Sequence, residues 1–484
     1  LKKLIMKIKT LSDLKSFFSN VPNQIVSIGV YAFDNVGLES LTDRFSIIAL
    51  NYSLDTKLIE KKVKLLSLEK INPTTIHEIK RNSLSMLRTE IVQEYLDSLN
   101  NPIIISYKGR PKFEQICTDK GYISAVGNSK MFQYLDNKSN FRDLLVKNNL
   151  KNYPPFKSYI WSELLKVDYI ELTKEFGQSI VIQGKGIVTK FIFSQNDWEA
   201  AKEFIKEASK DFDLEEKFLV SKYIKGKSAS VTCVATKWGI FTSNVQYQLI
   251  DIPELTEENG RTGFFCGHDW TASKSISDKV NLEATNFAKT FGEIIYKMGY
   301  KGFFGLDLMV EDGSENIYVN ECNARMTGVL PTIDLIQYSH NQIPFLGLHC
   351  LEYLPEHLTK DIELDFETIN ASLKTKKDGS HFFISSGVSG PNTLEVNLKP
   401  GVYTLENGKL TYLREGYRLE DLSKNDEFIF SETPSANLRI DRLTRIGRVV
   451  TNNGVLDKDF KFNEYTKNII NAYKNNLKYR HISD

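Results

Sequence analysis

Two short apolar, β-branched runs, Ile25-Val26-Ser27-Ile28-Gly29-Val30-Tyr31 and Pro102-Ile103-Ile104-Ile105-Ser106-Tyr107, bracket a segment with a different period. Within it Ile76, Ile79, Leu84, Leu87, Ile91, Tyr95 and Leu99 return every three to five residues, which predicts one helical segment from Pro73 to Asn100 with a single buried face. The stretch predicts a small N-terminal α/β domain. Its opening span, Gly29 to Gly37, has only two glycines at wide spacing and fails the dinucleotide-binding fingerprint. A basic, Asn-rich helix end at 147–152 and the pair Pro154-Pro155 mark the first boundary, so the first domain is expected at 1–150.

Strand-like runs follow at Ser179–Gln183, Val188–Phe193 and Phe218–Ile224, with a helix expected at Asn196–Lys210, which makes a second unit of 151–226. Alternation resumes over Ser228–Val245, a helix is expected at Leu282–Met298, and Gly302–Val310 and Asn316–Asn320 read as two strands joined through Asp312-Gly313, giving a unit of 227–358. The remainder, 359–484, is rich in strand and turn signals up to a terminal helix at Asn463–Tyr479. No repeat or low-complexity tract interrupts it.

Composition narrows the class. With 484 residues, 41% hydrophobic positions and 62 Lys+Arg against 61 Asp+Glu, the chain is globular and long enough for several cores. The balanced charge provides no general field for polyanions, so neither nucleic acid nor a membrane surface is an expected partner. Five widely spaced cysteines without a Cys-x-x-Cys pair fit a reducing compartment, and Leu1–Thr10 lacks the apolar run of a secretory signal. A cytoplasmic protein is expected. Cys266 and Cys322 have no base near them in sequence and read as small buried residues, and His381 reads as a structural histidine.

The chemistry concentrates in Gly302-Phe303-Phe304-Gly305-Leu306-Asp307-Leu308-Met309-Val310 and Asn316-Ile317-Tyr318-Val319-Asn320-Glu321-Cys322-Asn323-Ala324-Arg325. Glu321 and Asn323, two apart on a strand, share a face, and Asp307 lies on the neighbouring strand. Three hard oxygen donors suit Mg²⁺, which keeps water and phosphate in the rest of its shell. Arg325 shares that face.

Together these strings resemble the ATP-grasp superfamily of carboxylate ligases. The resemblance implies an α/β (α+β) ATP-grasp fold with a small N-terminal α/β domain and a C-terminal β-rich domain. It implies Mg²⁺ and ATP as cofactors, with Asp307, Glu321 and Asn323 on the metal ions and Arg325 on the phosphates or the acyl phosphate. Leu135–Leu145 followed by Pro154-Pro155 resembles the region of the nucleotide-contacting lysine, here Lys138. Ser179–Lys190 resembles the strand and glycine-rich lid, with Gly184, Lys185 and Gly186 approaching the triphosphate. Gln183 stands where many members carry a second phosphate-binding lysine, and Lys185 or Lys190 are the candidates to supply that charge. Leu219–Gly226 resembles the adenine-binding hinge, with Lys222, Tyr223 and Ile224 as contacts, although the family's acids near Ser221 and Lys225 are absent. Taken alone, Lys138 reads equally as a solvated lysine at a helix start, Gly-Lys-Gly as a hairpin turn and the hinge as a core strand.

Arg261–Trp270 reads as an irregular loop that shapes an acceptor site, with His268 and Asp269 as substrate candidates, while Thr327 and Gly328 follow the metal strand as further substrate donors. The implied reaction joins a carboxylate to an amine, an amino acid or peptide, through an acyl phosphate. Rival readings are a carrier-protein thiol acceptor, biotin carboxylase-like carboxylation and a nucleotide-binding protein without turnover. The resemblance also implies a homodimer.

Overall fold

A computed structural model describes residues 5–184, 189–208, 216–256, 263–388, 390, 392–435, 438–440, 442 and 444–482. Three sheets position everything that follows. The N-terminal sheet is parallel, in the order Lys64–Ser67, Phe45–Ala49, Ile25–Gly29, Ile103–Ser106, Ile123–Ala125. Its central strands are buried on both faces, which is why they read as unbroken β-branched runs.

The expected helix over Pro73–Asn100 is instead three short ones, Thr75–Glu78, Ser83–Leu87 and Glu90–Asp97. Asn82 restarts the chain as an N-cap, its side-chain oxygen accepting from the Ser85 N–H at 3.0 Å. The apolar positions still serve one core, since Leu87 and Leu96 are buried with Ile79, Leu84, Ile91 and Tyr95 packed against them.

The second sheet is antiparallel, in the order Phe156–Ile160, Lys217–Lys222, Ile180–Gln183, Thr189–Ile192, and helix Gln195–Ala208 covers it through Trp198, Ala201 and Ile205. Trp198 is fully buried, with its indole N–H donating to the Val167 carbonyl at 3.2 Å.

The third sheet has 11 described strands. It runs Ile317–Asn323, Gly302–Glu311, Gly226–Thr236, Gln246–Ile250, Phe265–Asp269, Ser380–Ser385, Arg445–Thr451, Phe428–Ser431, Gly401–Glu406, Lys409–Arg414, with Gly239–Thr242 pairing off Gly226–Thr236. Strands from either side of residue 358 therefore belong to one sheet. Helix Asp278–Lys297 packs on it through Ala284, Phe287, Ala288, Phe291 and Ile295.

One apolar core joins the N-terminal sheet to the rest: Phe33, Ile47 and Ile105 share it with Phe303, Ile333, Leu346 and Tyr417. His349 ties the same junction. Its Nδ1 accepts from the Phe303 N–H at 3.0 Å, which leaves Nε2 to donate to the Ala125 carbonyl at 2.9 Å. Among the described residues no helix is long and apolar enough to cross a membrane. All five cysteines are buried and unpaired, and burial pushes the thiols of Cys117 and Cys266 up to about 12.

Candidate active site

The strand pair Gly302–Glu311 and Ile317–Asn323 sets Asp307 opposite Glu321 and Gly305 opposite Asn323, with a register irregularity just after Asp307. Such irregularities bend a strand and re-aim its side chains. Asn323 donates through Nδ2 to Asp307 Oδ2 at 2.7 Å, and Gln248, from the strand Gln246–Ile250, donates to Asp307 Oδ1 at 2.9 Å. Burial pushes the Asp307 carboxyl well above its usual range, and the neighbouring Glu321 adds to this.

Positive groups converge from two directions. Lys138 begins the helix Lys138–Lys147, whose N-cap Asn137 accepts from the Asn140 N–H at 3.1 Å. Its ammonium, on a side chain only 8% exposed, lies 3.2 Å from Glu321 Oε2. Four residues on, the buried Arg142 donates to the Val319 carbonyl and so fixes this helix to the strand Ile317–Asn323. Arg325 donates to Asn323 Oδ1 at 2.8 Å and to the Tyr107 hydroxyl at 2.6 Å, with its guanidinium 5.1 Å from the Tyr107 ring centre. Tyr107 belongs to the loop after Ile103–Ser106, so the N-terminal sheet reaches the centre directly.

The donor set fits a hard divalent cation. Two carboxylates and an amide side chain lie across one strand pair, Asn323 giving its Nδ2 to Asp307 and its Oδ1 to Arg325, and burial followed by the nearby Glu321 raises the Asp307 carboxyl. Two carboxylates with an amide beside them are the few hard oxygen donors that Mg²⁺ shared with phosphates takes from a protein.

Sequence reasoning placed the other candidates unevenly. Gln183 ends the strand Ile180–Gln183 opposite Thr189, and Lys190 lies 3.9 Å over the Phe204 ring. Lys185 and Gly186 lie outside the described residues. Gly184 has a packing reason: a Cβ there would stand 2.5 Å from the buried Phe218 ring. At the hinge, the N–H groups of Lys222 and Tyr223 donate to the carbonyls of Pro155 and Ser179, so neither is a spare donor for adenine. Tyr223 is instead flanked by Phe191 and Phe193 at centroid distances of 6.1 and 5.3 Å. Ile224 is buried just before the turn into the large sheet.

The expected irregular loop at 261–270 is corrected by the structure, since Phe265–Asp269 is a central strand of the large sheet. Asp269 is 0% exposed and caps the helix Trp270–Ser273, accepting from Ala272 at 2.7 Å and from the amides of Val455 and Leu456 at 2.7 and 3.0 Å. Its carboxylate is spent on structure rather than offered to a substrate. His268 is also buried. It lies 3.2 Å from Ser230 Oγ and 3.0 Å from His381 Nε2, and burial pulls it down to about 3, so the pair is neutral. Thr327 packs its methyl near Gly305, and Gly328 abuts the Phe265 ring.

Two polar strings unseen in the sequence lie along the large sheet. One runs from Asp307 through Gln248 to Ser228, and the other links Gln246, Ser230, His268 and His381. Each step pairs residues that are far apart in the chain, so no local motif announces them.

A parallel sheet, an antiparallel lid and a large antiparallel sheet that carries its acids on adjacent strands define the mixed α/β ATP-grasp fold. The family model described as an ATP-grasp domain matches residues 137–329, from the cap of the Lys138 helix past Arg325. Over that stretch the chain matches an ATP-grasp domain.

Its relatives are distant. Over 183 residues it is 25% identical to the "[Butirosin acyl-carrier protein]--L-glutamate ligase" of Niallia circulans, a match covering 35% of this chain and 42% of that protein. The chain thus aligns with less than half the length of this curated relative. Among solved structures it resembles the N5-carboxyaminoimidazole synthase of Aspergillus clavatus in complex with ADP and its ribonucleotide, with 11% identity, a TM-score of 0.53 and coverage of 89% and 94% of the two chains. The biotin carboxylase domain of Hydrogenobacter thermophilus 2-oxoglutarate carboxylase, crystallised with MgADP, ADP and bicarbonate, gives 13% identity, a TM-score of 0.58 and coverage of 89% and 86%. At such identities these likenesses concern the fold alone.

Proposed function

We propose that this chain is an ATP-dependent ligase that activates a carboxylate as an acyl phosphate, releases ADP and transfers the acyl group to an amine. The observation that carries this reading is the contact set Lys138–Glu321, Asp307–Asn323 and Asn323–Arg325, five polar side chains from one helix and one strand pair. Asp307, Glu321 and Asn323 would hold Mg²⁺, which when bound neutralises phosphate charge and orients the transferring phosphoryl group.

The chain's own groups do the rest by position and charge. Lys138, now paired with Glu321, would hold a phosphate oxygen of the nucleotide, and Glu321 would then be available to the cation. Arg325, held over Tyr107, donates to the oxygens of the acyl phosphate and to the oxyanion formed as the amine attacks. Gln183 donates to the nucleotide from the end of the lid strand, beside Gly184, and the lid keeps water from the activated acyl group. Ile224 and the remaining backbone groups of Lys222 and Tyr223 meet the adenine edge. Thr327 and Gly328 line the approach of the acceptor. His268 acts from beneath this surface as a neutral support, and the enzyme works in the cytoplasm as a homodimer.

A second acceptor reading has one observation in its favour: the Niallia circulans relative is named for ligating glutamate to an acyl-carrier protein. The same activated carboxylate would then pass to a carrier thiol. Incubation with Mg·ATP and pooled amino acids and short peptides, followed by mass spectrometry, tests both when a phosphopantetheinylated acyl-carrier protein is added in parallel. ADP with a new amide-linked mass supports the amine acceptor, whereas a mass increment on the carrier supports the thiol. AMP and pyrophosphate would sink the acyl-phosphate ligase.

A further inference from the structure

The parallel N-terminal sheet reverses its strand succession between Ile25–Gly29 and Ile103–Ser106, which are neighbours although two other strands lie between them in the chain. At such a reversal the loops leaving the two carboxyl ends part in opposite directions and leave a crevice for a ligand. One loop carries Tyr107, which holds Arg325. The other carries Asp34, which meets a cluster on the large sheet.

That cluster is built around Glu432. Fully buried and held at a φ of +51°, a conformation that non-glycine residues rarely adopt, it lies 2.6 Å from Arg448 and 2.7 Å from Arg445. Arg448 is 1% exposed and also donates to Asp34 at 2.8 Å. Arg445 donates to Glu432 Oε2 at 2.7 Å and Arg448 to Asp34 Oδ1 at 2.8 Å, so each carboxylate holds one guanidinium. Arg445 and Asp34 face each other at 3.9 Å across the open edge of this network, and their side chains keep 34% and 35% of their surface open. The guanidinium of Arg445 is fixed 3.6 Å over the Phe383 ring, so it is oriented in advance. Phe383 packs on Phe265, and Phe265 on Gly328, which makes the wall from this pair to the metal strand continuous.

We infer that Asp34 and Arg445 form a clamp for the charged end of a free α-amino acid, its carboxylate on Arg445 and its ammonium on Asp34. The assignment rests on the ligase reading above and specifies one of its substrates. Opposite charges 3.9 Å apart match groups carried on one carbon atom. A phosphate would face two carboxylates, and a simple cation two guanidiniums, so the pattern selects the zwitterion against both.

The test is saturation-transfer NMR on the intact protein with MgADP and a pool of the twenty proteinogenic L-amino acids, followed by titration of the strongest binder, its α-amide and its 2-hydroxy acid. The clamp predicts that each analogue binds at least tenfold more weakly. It also predicts that Arg445→Met abolishes the difference between acid and amide, and that Asp34→Asn abolishes the difference between ammonium and hydroxyl. Analogues that bind as tightly as the amino acid overturn the clamp, and this comparison on the wild-type protein decides even if a variant fails to fold. MgADP binding with no amino acid bound overturns the clamp and leaves the ligase reading standing, whereas failure to bind MgADP overturns the reading beneath it.

Discussion

Asp334→Asn should make this protein more stable at neutral and alkaline pH, an unusual direction for a substitution in a fully buried position. Asp334 lies in the first turn of the helix Thr332–Ser339, immediately after the segment that leaves Arg325, and its surroundings give it little to bind. Oδ1 accepts one long bond from the Leu346 N–H at 3.4 Å, and Oδ2 is buried with no partner, facing Gly37 of the N-terminal domain. Burial pushes the carboxyl up from 3.8 to about 7. At about 1.4 kcal/mol for each tenfold change in proton affinity, this amounts to roughly 4 kcal/mol between the two protonation states. Because the folded carboxyl holds its proton more tightly than the unfolded one, its contribution is complete below 3.8 and is lost as pH rises through about 7. The neutral amide avoids that loss. Urea denaturation of wild type and variant at pH 8 and pH 5 should show a gain of about 1–4 kcal/mol at the higher pH, the lower bound allowing for the new N–H groups, and a smaller difference at the lower. A difference that does not change with pH would refute the argument, because it would mean that Asp334 is ionised and adequately bound in the native protein.

Three further outcomes are expected. Glu321→Gln should leave the fold intact by circular dichroism and cut ADP formation at least about a hundredfold, and wild-type turnover would remove Glu321 from metal binding. Arg325→Ala should lower kcat by about 10² or more with little change in KM for ATP, whereas Tyr107→Phe, which removes one hydrogen bond and keeps the ring beneath the guanidinium, should cost only about threefold to tenfold. Steady-state kinetics on both variants would contradict the positioning role of Tyr107 if their losses were equal. Gly184→Ala should destabilise the lid by about 1–3 kcal/mol, because its Cβ meets the buried Phe218 ring, and an unchanged denaturation midpoint would show that the ring yields.

The strand pair that carries Asp307, Glu321 and Asn323 was legible because its pattern is local: Glu321 and Asn323 are two apart, and a short turn brings Asp307 beside them. The strands of the antiparallel sheet declared themselves as short apolar runs. What escaped was whatever depends on distant pairing. Phe265–Asp269 looked like a loop because Gly267 reads as a breaker, yet a Cβ at Gly267 would lie 2.0 Å from the His381 carbonyl oxygen, so the glycine is there to let two strands close up. His381 looked unpartnered because its partner, His268, is 113 residues away. Gln248, Arg142 and the Glu432 cluster were missed for the same reason. The single helix expected over Pro73–Asn100 failed for the opposite one, because the periodicity was sound and a local cap at Asn82 overruled it.

The antiparallel lid leaves and rejoins the rest of the chain at almost one point. Its first strand, Phe156–Ile160, and its last, Lys217–Lys222, lie side by side with Phe156 opposite Ser221, and the Lys222 N–H donates to the Pro155 carbonyl at 3.0 Å. The large sheet takes up its own register only from Gly226. The lid is therefore an insertion with adjoining ends, a cassette whose removal would ask a short linker to bridge one strand spacing. Exchange of residues 156–222 between related chains would move the four-stranded sheet and its covering helix as one piece while leaving the Asp307–Asn323 strand pair and the Asp34–Arg445 pair in their original frame.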